Sequence, residues 1–387
     1  MGNPFLDDVQ WEFGSFIQAE WKVAPNFVFS PGLRYESQTN IADHNNIDPR
    51  IAFAYQIGKS TALRAGVGLF HQRMVQNITD QLLRFDGLHQ QQIVLESPSF
   101  PDPFAGGAAN LASIVALRVR SSNLETPYNV ISDLTLEKSL PQGIGLTLAF
   151  DSSRGIHLYR SRNINAPLPG SFDRPDPSIG NRYHLESTGL SWSDNLTVGI
   201  RQTLRSRSNL NLFANYTFGR VYNDTDGPFN LPASSYDLRS EWGRSPGDLR
   251  HRFIAGANFN AFWNVNVNAN VQANSNRPYN ITTGYDDSHD GTLAARPSGV
   301  SRNTGIGPRY FNMNASIQKT VLLNKEQSGG GARPPSRRTM TFVVNLWNAL
   351  NTTQFQSYSG VMTSPSFGKP SRANNPRNIE FGARFSF

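Results

Sequence analysis

No cysteine occurs in the 387 residues, which excludes a disulfide framework and any Cys-ligated zinc or redox centre. The absence fits an oxidising compartment, where stray thiols are a liability. No run of about 18 apolar residues is present, so the chain is not a helical membrane protein. The N-terminal MGNPFLDDVQWEF lacks a basic stretch followed by an apolar one, the pattern of a secretory signal. Either the protein stays in the cytoplasm or this chain starts inside a longer one. Histidines at metal-binding helical spacing, a G-x-S-x-G elbow and carboxylate pairs framed by apolar residues are also missing, so no enzyme is expected. Net charge is +7, yet the arginines stand singly (Arg64, Arg118, Arg201, Arg277, Arg384) instead of forming the patch a nucleic-acid binder needs. The excess suits soluble loops or anionic lipid headgroups.

What is present is alternation. In WNVNVNANVQAN, residues 263–274, Trp263, Val265, Val267, Ala269, Val271 and Ala273 share one parity, and every residue of the other parity is an amide. A strand turns successive side chains to opposite faces, so this segment has one apolar and one amide face. Its length is that of a tilted bilayer-crossing strand, about 9–11 residues. A long sandwich strand reads the same way in isolation.

The pattern recurs in about 13 segments, from Trp11–Trp21 to Ile379–Phe387, without a convincing amphipathic helix between them. Short links fall near 22–25, 58–60, 140–143, 203–208 and 260–263, with a Gly/Pro-rich one at 323–337. Between them lie long polar links at 37–47, 72–127, 155–184, 222–247, 276–307 and 349–377, and Gln91–Leu95 hints at a further hairpin. Short turns on one rim and long loops on the other are the asymmetry of outer-membrane barrels. Aromatics near strand ends (Trp11, Trp21, Tyr35, Trp192, Trp263, Tyr310, Trp347) suit interfacial girdles, although aromatics favour strands anyway. Single-chain bacterial barrels have even strand numbers, so the odd count leads to the expectation that an upstream partner strand lies in a longer protein.

Several phrases carry a family resemblance: IDPRIAFAYQIGKSTALRAGVGLFHQR (47–73), YNVISDLTLEKSLPQGIGLTLAFDSSRGIHLYRSRNIN (128–165), GDLRHRFIAGANF (247–259), RPYNITTGYDDSHDG (277–291), RNTGIGPRYFNMNASI (302–317) and the closing RNIEFGARFSF. Together they resemble the C-terminal part of the β-barrel of TonB-dependent receptors, in the Oar-like subgroup that carries a carboxypeptidase-regulatory-like domain. The resemblance implies an all-β, antiparallel transmembrane barrel portion of about 12–14 strands in the Gram-negative outer membrane. It covers 1–387 as one unit, without plug, TonB box or regulatory domain. It implies energised uptake by the parent protein through the TonB–ExbB–ExbD system. It also implies contact with outer-membrane lipid and lipopolysaccharide, and recognition of the last strand by the barrel assembly machinery. A non-transporting surface barrel is the alternative, and a secreted carbohydrate-active enzyme a weaker one.

Few residues suggest chemistry. Gly58-Lys59-Ser60-Thr61 ends like a phosphate loop, but Phe53 stands where the first glycine belongs. Asp286, Ser288, Asp290 and Thr292 match positions of a calcium loop whose closing Glu is replaced by Pro297, so structural calcium and a plain polar turn both remain open. Binding residues concentrate in loops on rigid scaffolds, which makes Tyr222, Trp242, Tyr279 and Tyr285 candidates for stacking on an oligosaccharide or other flat ligand.

Overall fold

The computed structural model describes residues 5–90, 92–93, 99–102, 115–204, 209–323 and 338–387. Thirteen long strands form one antiparallel wall in which each pairs with the next: β1 (Glu12–Gln18), β2 (Phe27–Gln38), β3 (Asn46–Ile57), β4 (Thr61–His71), β5 (Tyr128–Leu140), β6 (Ile144–Asn163), β7 (Arg182–Leu204), β8 (Leu210–Asn223), β9 (His251–Ala261), β10 (Val265–Asn274), β11 (Tyr310–Leu322), β12 (Thr339–Trp347) and β13 (Asn378–Ser386). After a break at Ala19-Glu20, Trp21–Ala24 continues the line of β1 along β2. Among the described residues β1 and β13 each have a single long neighbour, so the wall has two free edges.

Cross-strand register confirms the two faces. Val198 faces Leu148 and Tyr216, Tyr216 faces Phe253, Phe253 faces Ala273, and Ala273 faces Phe311. This apolar face is bare: Leu33, Ile51, Val67, Leu148, Val198 and Ile200 are all 46–53% exposed. A soluble protein would bury such a sheet face. The polar parity is the concave one. Asp151, Asn195, Thr197, Asn215, Thr217 and Arg252 line a hollow of about 290 Å³ together with Ile254. Down the same face, Asn258 bonds to Asn268, Asn266 to Asn260 (2.7 Å) and Asn268 to Asn266 (2.8 Å). Arg64 pairs with Glu137 on this wall.

The wall itself holds no dry core. The buried apolar cluster, Ile41, Met74, Ile78, Leu124, Tyr159 and Leu185, lies among the long loops and the upper ends of β6 and β7. Three expectations are corrected here. The 155–184 link is much shorter, because β6 and β7 run on to Asn163 and back from Arg182. Register shifts between Glu186 and Ser191, and a positive φ of 58° at His157, break the alternation that marks a strand. A helix, α1 (Gln76–Arg84), stands in the 72–127 link; Ile78 anchors it in the loop core, and its nine residues are too few for a periodic signal. Trp263 sits in a tight turn at φ 62° and does not start β10. Of the hinted hairpin, Gln92–Ile93 pairs with Val115-Ala116, while Gln91, Val94 and Leu95 lie outside the described residues.

Candidate functional site

The concave face carries its aromatic groups at the loop rim. Tyr310 opposes Asn274 and Trp347 opposes Asn378, both on the polar parity. These two residues therefore face inward, which corrects their expected place in an outer girdle. Each sits one position out of phase with its apolar strand, before Phe311 and after Leu346, where the exit to a loop lets the inner face take a large ring.

A small hairpin, Phe355–Tyr358 with Pro370–Ala373, folds over this rim. Gln354 pins it: its Oε1 accepts the Phe311 N–H at 2.8 Å, and its Nε2 donates to Thr352 Oγ1 at 2.7 Å. Asn348, at φ 50°, donates its backbone N–H to Asn314 Oδ1 at 2.9 Å and its side-chain amide to the Thr352 carbonyl at 2.9 Å. Two cavities result. One, about 450 Å³, is lined by Gln272, Asn274, Asn276, Arg277, Tyr310, Phe355, Gln356 and Tyr358. The other, about 380 Å³, is lined by Asn312, Asn314, Trp347, Gln354 and Arg372, and both include Asn374. Asn274 Oδ1 in the first and Asn312 Oδ1 in the second are buried without a hydrogen-bond partner among the described residues. A buried acceptor left unpaired costs about 1–3 kcal/mol, so each is poised to take a donor from an incoming molecule. Burial pushes the Tyr358 hydroxyl pKa upward, which keeps it a neutral donor.

Glycines make the cleft possible. A Cβ on Gly305 would lie 2.5 Å from the Tyr279 ring, and one on Gly307 2.3 Å from the Tyr358 ring. The N-T-G-I-G phrase at 303–307 is thus a bed for two rings.

The structure disperses the four sequence candidates. Tyr279 stacks on Tyr358 beside the cleft, with centroids 5.5 Å apart. Tyr222 stacks with Trp242 (6.3 Å, 19°) but shares a face with Trp192, on the outward parity. That pair therefore lines the outer wall and is not part of the cleft. Tyr285 is 65% exposed in a loop and has no ring partner among the described residues. Tyr310, Trp347, Phe355 and Tyr358 were missed. Only the parity of the first two was visible in the sequence.

The calcium-like residues form a docking turn. Asp286 accepts the N–H groups of Asp290 (3.1 Å) and Gly291 (2.8 Å). Asp290, 4% exposed, accepts the N–H and hydroxyl of Thr292 and an amide N–H of Asn163 at 3.3 Å. Ser288 and Asp290 both line a hollow with Pro169 and Tyr236. No three acidic or imidazole groups converge among the described residues. With its carboxylates taken up by protein donors, the set does not fit a resident cation.

Comparisons with known proteins agree with this architecture. An outer membrane beta-barrel domain family matches residues 37–301, well over half of the chain. No curated protein matches significantly. Among solved structures, the outer membrane transporter YddB from Escherichia coli is similar, with a TM-score of 0.64 at 10% identity over 96% of this chain and 45% of that one. A point mutant of the ferric enterobactin receptor PfeA of Pseudomonas aeruginosa gives 0.58 at 14% identity, over 97% and 45%. FpvA of the same species, bound to heterologous pyoverdines, gives 0.54 at 11%, over 98% and 38%. The chain thus spans less than half the length of each, and at such identities the likeness concerns the fold. The bare apolar face, the polar concave face and the family match lead to one conclusion: this chain belongs to the outer membrane beta-barrel domain family and resides in the cell outer membrane.

Proposed function

We propose that the chain is the C-terminal part of the barrel of a TonB-dependent receptor of the Oar-like subgroup, importing an oligosaccharide. The wall's two free edges and its partial coverage of the similar transporters support the first half. The parent's remaining strands, plug and TonB-contacting segment would lie outside this chain. β13 would be read by the assembly machinery.

The ligand class rests on the cleft. Rings at Tyr310, Trp347, Phe355 and Tyr358, set among side-chain amides with two unpaired acceptors, offer stacking surfaces and hydrogen bonds to a neutral polyhydroxylated molecule. A second reading, an anionic metal chelate, is favoured by Arg277 and Arg372 alone. Chemistry here is binding and gating, with no bond made or broken.

The two readings separate on titrating maltohexaose and ferric enterobactin into the detergent-solubilised protein. Trp347 emission is followed as the difference from Trp347→Phe. Saturable change with the glycan, weakened by Asn312→Ala, supports the oligosaccharide; response to the chelate alone overturns it. Import that persists in de-energised cells carrying the whole receptor would reject the TonB-dependent reading and leave a passive or non-transporting surface barrel.

A further inference from the structure

The outward face carries a cationic cluster that the cleft does not use. Ser152, Asp194 and Arg220 form one cross-strand row of β6, β7 and β8. Arg154, Trp192, Tyr222 and Arg244 form the next row toward the loops. The row below is apolar and aromatic: Phe150, Leu196 and Phe218. Ten residue steps separate Asp194 from Leu204 at the short-turn end. At about 3.3 Å per residue and a tilt of about 40°, that is about 25 Å, the height of a barrel's apolar band. The cluster therefore sits at headgroup level beneath the long loops.

Its arginines outnumber its carboxylates. Arg154 pairs with Asp194 at 2.9 Å and lies 4.8 Å from the Trp192 ring, whose Nε1 donates to Asp194 at 2.6 Å. Arg244 and Arg250 share the single buried carboxylate of Asp248. Arg220 is exposed and has no ion-pair partner among the described residues. At the same level, the strands beyond β6 carry Ser132, Val67 and Ile51, so the excess charge ends at β6 on that side. A guanidinium fork matches a phosphate bidentately, and amphipathic rings favour the headgroup boundary.

We infer that this surface docks the phosphate of an outer-leaflet glycolipid, with Arg220 as principal ligand, Arg154 beside it, and the rings of Trp192, Tyr222 and Trp242 packed along the lipid. The inference rests on the long loops facing the cell exterior and is independent of the ligand taken at the cleft.

The test uses the protein in phosphatidylcholine nanodiscs and native mass spectrometry with bis-phosphorylated lipid A and its fully dephosphorylated counterpart. The phosphorylated lipid is expected to bind about tenfold more tightly. Arg220→Gln, which breaks no ion pair, should erase most of that difference, Arg220→Lys should restore part of it, and Arg252→Gln on the concave face should leave it unchanged. Equal binding of the two lipids, or an unaltered preference in Arg220→Gln, would overturn the inference. Complete displacement by excess inorganic phosphate would also overturn it, because the site would then be one for free anions.

Discussion

Tyr279 and Tyr358, far apart in sequence, lie nearly parallel at 18° beside the concave cleft. Glycines hold them there. The Gly360 Cα leaves no room for a Cβ, which would fall 1.7 Å from the Asn280 carbonyl oxygen. Gly360→Ala is therefore expected to shift the 355–373 hairpin and weaken glycan binding about tenfold, while the barrel melting temperature stays within a few degrees. A fluorescence titration read beside a thermal melt checks this; unaltered affinity would detach the ring pair from the site.

Above the membrane, Arg160 is 9% exposed and bridges Glu186 at 3.3 Å and Asp224 at 3.1 Å. Glu186 also pairs with Arg162 at 3.0 Å, so removing Arg160 strands the carboxylate of Asp224, and an uncompensated buried charge costs about 3–5 kcal/mol. Arg160→Ala should loosen 182–190 and the start of the 224–250 loop. Hydrogen exchange there should rise by about two orders of magnitude while the lower halves of β6 and β7 stay protected. Uniform protection would show that the pair carries no such weight.

The loop turn at 286–292 satisfies its own carboxylates. Millimolar calcium should leave the melting temperature and loop exchange unchanged, whereas Asp290→Ala, which removes the acceptor of Asn163 and Thr292, should expose the 163–182 loop to proteolysis. Stabilisation by calcium in the wild type would reinstate a metal site.

Free sheet edges pair with other strands unless blocked. Both faces of β13 are exposed along its whole length. The chain alone in detergent should form dimers and larger species with rising concentration, and Ala383→Pro, on the alternation whose N–H groups point away from β12, should reduce them by removing an edge N–H. Light scattering coupled to size-exclusion chromatography measures this. A strict monomer at all concentrations would mean the edges are otherwise satisfied.

The wall was legible because a two-residue period survives in every bilayer-crossing strand, and the alternating link lengths placed its two rims. Legibility ended where local rules are broken by distant contacts. β6 and β7 continue above the membrane through a bulge that inverts parity, and α1 is held by Ile78 against Met74 and Leu185 instead of by its own period. The cleft was half visible. Tyr310 and Trp347 sit on the polar parity and were readable as inward-facing. Phe355 and Tyr358 arrive from a hairpin whose fold depends on Gln354 reaching back to Phe311. Tyr222 and Trp242 had the right chemistry for stacking but the outward phase.

Two adjacent residues of β10 test the wall most directly. Val267 faces Phe259 and Ile317, whereas Asn268 faces Asn258 and Ser316. Arginine on a lipid-facing barrel position near the bilayer midplane costs about 2–4 kcal/mol. In unfolding titrations from lipid vesicles, Val267→Arg should lose that much stability and Asn268→Arg less than about 1 kcal/mol. Equal losses, or a larger loss at Asn268, would contradict the assignment of the apolar face to lipid.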